Sequence, residues 1–280
     1  MKIAWVTDST VCLDEELSSH PDLYVLPMTI LLDEEEYLDG VTLGPVELYE
    51  KLKGLKNAPK SSQPSVGSFV ELYSKLKDEY DSIISIHVSS HLSGTYSTAV
   101  QAANMIDHPI KVIDSKILSY PLSYLIKLGM KVISDGGSSE EAVEVIGDLL
   151  KSNETYVLVG SIEQLHRSGR MNGLQFFIGS FMNIKPIISI SDGQLLVKEK
   201  VRSGKKGLEK MADYIKDSSD KGAIKEIFIL YGLHDEEALK WKNNIKVMFP
   251  VVKCSIHPLG AVIGLHAGEH TLGISWFCES

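Results

Sequence analysis

KIAWVTDST at residues 2–10, LDEELSSH at 13–20 and YVLPMTILL at 24–32 decide the fold. A β-rich apolar run ends in a polar loop, gives way to a short amphipathic stretch and returns as a second apolar run, which is βαβ rhythm. Working outward, the alternation continues through VELYEKLKGL (46–55), the helical SFVELYSKLKDEY (68–80), the strand SIISIHVSS (82–90), the helical TYSTAVQAANMI (95–106) and the strand IKVIDS (110–115). Strands joined by helical crossovers run parallel, because only a long connection returns the chain to the same end of a sheet. A helical pair follows, LSYLIKLGMKVISDG (122–136) and SSEEAVEVIGDLLKSN (138–153), and the texture then changes at Glu154 to YVLVGSIEQL (156–165). The boundary is expected near residue 158, with 1–158 forming a parallel-sheet βαβ domain and 159–280 a mixed-sheet α+β domain, and a ligand held between the two lobes. In the second part, IKPIISISDGQLLVKEKVR (184–202) reads as a hairpin turned at SDGQ, so its sheet is predicted to be mixed.

The chain has 280 residues, a length that suits two domains better than one core. Hydrophobic residues make up 44% and charged residues 23%, so a large core can form. A net charge of -9 repels phosphate backbones and anionic surfaces, which argues against nucleic acid as a partner. Cys12, Cys254 and Cys278 are few, odd in number and far apart, which fits neither a disulfide framework nor a CxxC site and points to reducing cytosol. MKIAWVTDST meets an aspartate too early for a signal peptide, and the uncharged stretch from Met171 to Ile184 is shorter than the roughly 20 apolar residues of a membrane span. A cytoplasmic protein with no integral membrane segment is expected.

Hydroxyl clusters stand at the ends of predicted strands: Thr7, Ser9 and Thr10 with Asp8 after the first, and Ser89, Ser90, Ser93, Thr95 and Tyr96 after SIISIHV. In an open parallel sheet those loops line the ligand crevice, so the two clusters are expected to face one site. Ser93 and Gly94 precede a helix, where free N–H groups and the helix dipole favour an anion and glycine permits close backbone approach. Plain helix capping explains such hydroxyls about equally well. A third loop, KSSQPSVGSF (60–69), offers Ser61, Ser62 and Gln63 with Ser65 as a cap.

HAGEH (266–270) matches the HxxEH zinc pattern, but Gly264 and Gly268 interrupt the helix that it needs, each at about 1 kcal/mol, so zinc on that pattern is rejected. One histidine of the stretch can still donate to an anion. No GxGxxG, Walker loop or GxSxG elbow occurs, and no cofactor or metal is expected. Asp114 with Ser115 ends a strand, Arg167 and Arg170 lie near glycines, and Lys198, Lys200, Arg202, Lys205 and Lys206 form a basic run that suits either solvent or a negatively charged partner.

Together these loops resemble the DegV family, whose members bind fatty acids, some as the lipid-presenting subunit of a bacterial fatty acid kinase. The resemblance runs nearly end to end through VTDST (6–10), SSQPS (61–65), SSHLSGTYSTA (89–99), VIDS (112–115), LHRSGRMNG (165–173), KP (185–186) and GAVIGLHAG (260–268). It implies a carrier, not an enzyme in its own right, with Ser61, Ser93, Gly94 and His266 on the acyl carboxylate. Ser62, Asp8 and Thr95 would support them, and Arg170 and Arg202 would lie near the mouth or face a kinase subunit. Where the family commonly has HTGPG this chain has HAGEH, and VRSGKKG (201–207) keeps Arg202 but changes its neighbours. The tail would need a dry tunnel, for which LSYPLSYLIKLGM (118–130) and LQFFIGSFMNI (174–184) are candidate walls. Two rivals stand beside this reading: a lipid hydrolase or acyltransferase with Ser93 as nucleophile, His266 as base and Asp114 or Asp8 as orienter, and a sensory protein for some other small acid.

Overall fold

The computed structural model describes residues 2–170 and 184–279. Strands β1 (Ile3–Asp8), β2 (Leu23–Leu26), β6 (Ser82–His87) and β7 (Ile110–Asp114) form an all-parallel sheet in the order β2-β1-β6-β7. Every residue of β1 and β6 is buried, as strands covered on both faces require. Ala4, Val6 and Ile83 meet Phe69, Tyr73 and Leu76 of α3 (Val66–Leu76) and Ala99 and Ala102 of α4 (Thr95–Ala103). Ile3, Trp5 and Ile84 point the other way, toward α5 (Tyr120–Ser134) and α6 (Ser139–Leu150). Two-residue alternation thus divides one strand between two helical layers.

The second sheet has six strands in the order β10-β9-β8-β13-β11-β12. They are β8 (Asn153–Leu158), β9 (Lys185–Ser191), β10 (Gln194–Val201), β11 (Ala223–Tyr231), β12 (Lys253–Pro258) and β13 (Leu272–Glu279). Only β11 and β12 run parallel, so the sheet is mixed as expected. β8 precedes the expected boundary near residue 158 and pairs on both edges within this second sheet. Ile227 and Ile229 of β11 pack on α8 (Gly204–Ser219) and α9 (Asp235–Met248). Phe228, on the opposite face, meets Tyr120 and Tyr124 of α5 at ring-centroid distances of 5.1 and 5.2 Å, and Phe277 of β13 meets Tyr124 at 5.4 Å. The layers therefore run helix, sheet, helix, sheet, helix, with α5 common to both cores.

The β9–β10 hairpin turns at Asp192 and Gly193, whose φ angles of 46° and 83° supply the two positive values of a tight right-twisted hairpin. Its tip reaches the first sheet: Ser89 Oγ donates to Gly193 O at 2.8 Å, and Lys116 pairs with Asp192. Two strands fall outside the sequence reading, EEYL (35–38) and KSS (60–62). KSS, taken as loop, forms β5 (Lys60–Ser62), which joins β3 (Thr29–Leu32) and β4 (Glu35–Leu38) in a small antiparallel sheet ordered β4-β3-β5. Its three polar residues carry no apolar alternation, so only the pairing with β3 makes it a strand. α2 (Pro45–Leu52) packs Leu48 beneath this sheet, α1 (Glu15–Ser18) is a single capped turn, and α7 (Ile162–Arg167) follows β8. Among the described residues no helix is long and apolar enough to cross a membrane.

Helix α5 approaches β1 closely because residue 129 lacks a side chain: a Cβ on Gly129 would lie 2.3 Å from Trp5 Cη2 and 2.8 Å from Ile146 Cδ1. Gly129→Ala gains about 1 kcal/mol of helix propensity and loses about 1–3 kcal/mol to overpacking. A net destabilisation of up to about 2 kcal/mol is expected in urea unfolding; a raised midpoint would contradict this packing.

Candidate functional site

A buried carboxylate organises the ends of β1 and β6. Asp8 Oδ1 accepts from Thr10 N at 3.0 Å and Thr10 Oγ1 at 2.6 Å, while Oδ2 accepts from Val88 N at 2.9 Å and lies 3.1 Å from His87 Nδ1. His87 continues through Ser85 to Tyr73, each contact at 2.7 Å. Burial is the largest influence on Asp8 and pushes its pKa up, yet the hydrogen bond and charge of His87, with Thr10 and Val88, hold it below the usual carboxylate value. Asp8 is therefore committed to the scaffold.

Above this network lies a cavity with about 970 Å³ of empty space, counted out to its open side. Its walls are mainly aliphatic. Thr155, Val157 and Val159 along one strand direction and Ile188 and Ile190 along the next present successive inward positions of the second sheet, facing Leu92 and Val88 of the first lobe. Polar groups concentrate in Ser61, Ser62, Gln63, Ser93, Arg170 and His266, with Thr10 and Thr271 also on the wall.

The elements deliver these groups from distant parts of the chain. Ser61 sits opposite Ile30 in the β3–β5 pairing and its hydroxyl lies 2.8 Å from His266 Nε2. His266 occupies the last turn of α10 (Ala261–Ala267), whose Val262 N–H donates to Asp39 Oδ1 at 3.1 Å. Desolvation, reinforced by the positive charge of Arg170, pushes His266 down to about 4, so it is a neutral donor or acceptor at pH 7. Ser93 Oγ lies 2.9 Å from Thr95 Oγ1 and accepts weakly from Thr95 N at 3.4 Å. Gly94, the residue before α4, packs on Gln63: an added Cβ would stand 3.0 Å from Gln63 Nε2. Half-buried Arg170 donates to Leu92 O at 3.3 Å and Ser168 O at 2.6 Å, bracing one loop from each lobe.

The structure thus gathers Ser61, Ser62, Ser93, Arg170 and His266 around one cavity, with Gly94 and Thr95 behind Ser93. Arg202 stands exposed just after β10 and does not line it. Several expected site hydroxyls are used elsewhere: Ser9 accepts from Met28 N at 3.0 Å, Ser89 holds the hairpin tip, and Ser90 Oγ donates to Asp114 Oδ2 at 2.5 Å. Asp114 also accepts from Lys116 N at 3.0 Å. The Ser93–His266–Asp triad of the hydrolase reading is not assembled, since His266 pairs with Ser61, Ser93 with Thr95, Asp8 with His87 and Asp114 with Ser90.

The wall also differs from expectation. Of LSYPLSYLIKLGM only Leu118 lines the cavity, because Leu122, Leu125 and Ile126 of α5 are consumed in the core between the sheets. LQFFIGSFMNI lies outside the described residues except for its last, Ile184. The lining of the second sheet was missed. Its only sequence signal is two-residue alternation, which marks a face without telling whether a helix or empty space covers it. Gly264, read as a helix interruption, lies inside α10, where a Cβ would come 2.4 Å from Tyr49 Oη; the helix does end at Gly268, with φ of 89°. His266 and His270 consequently do not share a helical turn.

Comparison with known proteins relates the whole chain to one family. One family model, described as "Uncharacterised protein, DegV family", matches residues 2–279. A DegV domain-containing protein of Halalkalibacterium halodurans is 34% identical over 281 residues, 99% of each chain. The crystal structure of DegV, a fatty acid binding protein from Bacillus subtilis, superposes with a TM-score of 0.90 at 32% identity over 100% of both chains. That of a fatty acid binding DegV family protein from Streptococcus agalactiae gives 0.92 at 27% identity, again over 100% of both.

The buried imidazole makes stability depend on pH in a defined direction. With a folded value of about 4 and an ordinary value of 6.5, His266 takes up its proton more readily in the unfolded chain, so its contribution is present above pH 6.5 and lost as pH falls toward 4. The full effect is on the order of 3 kcal/mol. His257, also pushed down to about 4 by burial, acts in the same sense. Asp39, pushed up to about 6 by burial, acts in the opposite sense, adding stability below about pH 4 that is lost as pH rises through 6. Lipid-free His266→Gln should therefore lose less stability than the parent between pH 7 and pH 4.5 in denaturant titrations; equal losses would show that His266 is not desolvated.

Proposed function

The chain belongs to the DegV family, and from that premise we propose that it carries one long-chain fatty acid in the cavity between the two sheets and presents the carboxyl group to a separate kinase. The observation that carries this reading is the composition of one cavity, aliphatic along most of its wall and gathered at Ser61, Ser93 and His266 into neutral hydrogen-bond donors. The Bacillus subtilis and Streptococcus agalactiae relatives, described as fatty acid binding, support it.

The energetics agree. A palmitoyl-length tail has about 14 methylenes, and at about 0.8 kcal/mol each their burial offers near 11 kcal/mol, of which immobilising the ligand removes several. What remains is on the order of the 8 kcal/mol that micromolar affinity requires. A carboxylate withdrawn from water must be multiply hydrogen-bonded, and in this reading Ser61, His266, Ser93 and the N–H groups at the start of α4 supply those bonds, with Arg170 adding positive charge.

Presentation is supported by what lies beyond His266. The same imidazole borders a second, more polar hollow of about 670 Å³ of empty space, lined by Lys56, Gln164 and Arg167 among others. The carboxyl group held at His266 would stand at the partition between a dry interior and an outer basic recess, where a phosphate donor on a kinase can approach. Carboxylate oxygen attacks the terminal phosphorus, the nucleoside diphosphate leaves, and the acyl phosphate keeps its tail sheltered from water. The donor nucleotide belongs to the partner in this scheme, Arg202 offers an exposed cation to that partner, and the setting is the bacterial cytoplasm, upstream of phospholipid synthesis.

Native mass spectrometry of the chain purified from a bacterium should show the polypeptide plus one fatty acid. Ser93→Ala and His266→Ala should each weaken binding of a long-chain fatty acid about tenfold or more, the equivalent of 1.4 kcal/mol or more, with unchanged far-UV circular dichroism. A lipid-free mass together with unaltered affinity in both variants would remove the proposal, and an acyl adduct on Ser93 after incubation with an acyl phosphate would replace it with the acyltransferase reading.

A further inference from the structure

Outside the acyl cavity, His234, Glu269 and His270 converge from two loops, with one potential ligand atom of each lying within 4.8 Å of the other two. His234 precedes α9, and Glu269 and His270 form the turn between α10 and β13. The loops are locked backbone to backbone: Leu233 N donates to Glu269 O at 2.8 Å and Gly232 N to Thr271 O at 2.9 Å. Gly232 lies so close to the opposite strand of chain that a Cβ would come within 2.4 Å of Glu269 O. The donor-bearing side chains are therefore carried on a platform that is already in register.

We propose that these three side chains form a binding site for a divalent transition-metal ion, with Zn²⁺ as the best-suited occupant. Zinc takes imidazole nitrogen at about 2.0–2.1 Å and carboxylate oxygen at about 2.0–2.2 Å in tetrahedral geometry, which sets neighbouring donors about 3.4 Å apart. Glu269 Oε1 and His270 Nε2 stand 3.5 Å apart, so one edge of that tetrahedron is in place. The His234 and His270 rings lie 4.5 Å apart between centroids at 18°, and His234 Nε2 is buried with no hydrogen-bond partner among the described residues. An imidazole nitrogen withdrawn from water and left unpaired is costly, and ligation is one way in which a site of this composition satisfies it. Closing the third vertex requires donor atoms now within 4.8 Å of one another to draw together, which the His270 and Glu269 side chains, 61% and 37% exposed, are free to do.

Donor chemistry selects the ion. Two imidazoles and one carboxylate suit zinc and its first-row neighbours, whereas calcium and magnesium take mainly oxygen. Asp235, Glu236 and Glu237 in the first turn of α9 add negative charge that offsets the positive helix end beside His234. Three protein ligands leave the fourth position to water. The site differs from the HxxEH pattern in its donors: His266 stays with Ser61, and His234, 32 residues earlier in the chain, replaces it. Bound metal would staple the β11–α9 loop to the turn that follows the His266 helix.

Zinc titration of the full-length chain against a chromophoric chelator should reveal one equivalent bound, and zinc should raise the melting temperature. His270→Ala, at an exposed position, and Glu269→Gln should each weaken zinc at least about tenfold and abolish the thermal shift, while leaving fatty acid affinity unchanged. Anomalous scattering at the zinc edge should place the ion between the three side chains. Failure of the parent chain to retain zinc, or equal zinc affinity in the parent and in His270→Ala, overturns the proposal; zinc bound instead at Cys12, Cys254 or Cys278 would give that second result.

Discussion

The fully buried carboxylate of Asp8 is the constraint on which the site depends. Its two oxygens take four donors, from Thr10 on the loop after β1 and from His87 and Val88 at the end of β6, and so tie together the two strand ends that carry the floor of the cavity. A charge removed from water is tolerable only when it is surrounded in this way, and removing one partner leaves the rest unsatisfied. The network thus enforces a single relative placement of the two loops, and the position of Ser93 follows from it.

Each lobe spends one sheet face on an ordinary helix-covered core, and the faces that remain meet across α5 and the cavity. Where α5 fills the gap, Tyr120 and Tyr124 stack against Phe228 and Phe277 and the interior is solid. Beyond the end of that helix, at Leu118, the facing residues are aliphatic and nothing described fills the space between them. The hollow is a consequence of where one helix begins. Hydrophobic residues line it on both sides, and the polar end arises because three loops and the last turn of α10 arrive there together.

Much of this architecture was legible in local pattern. The parallel sheet followed from strands separated by helices, and the hairpin at Asp192 and Gly193 from its turn residues and the alternation on either side. Ser61, Ser93 and His266, which border one cavity, were singled out by the family resemblance more than by pattern, since hydroxyls before a helix are usually caps. Indeed Ser65 caps α3 in the ordinary way, whereas Gly94 takes the position before α4 and leaves Ser93 to face the cavity. Ser89 and Ser90 looked equivalent to Ser93 in sequence and were diverted to Gly193 and Asp114.

By itself the sequence determined the layer types, because periods of two and of about 3.6 are properties of neighbouring residues and need no partner to be read. It also determined the chemistry available at each loop. Tertiary structure alone decided which loops meet: Ser61 and His266 are 205 residues apart, and β5 is a strand only by virtue of β3. It likewise chose the second sheet, not α5, as the wall of the cavity, and brought His234 to Glu269 and His270. Such choices depend on how whole faces pack and on where packing stops, and no local pattern encodes the place at which a neighbouring element ends.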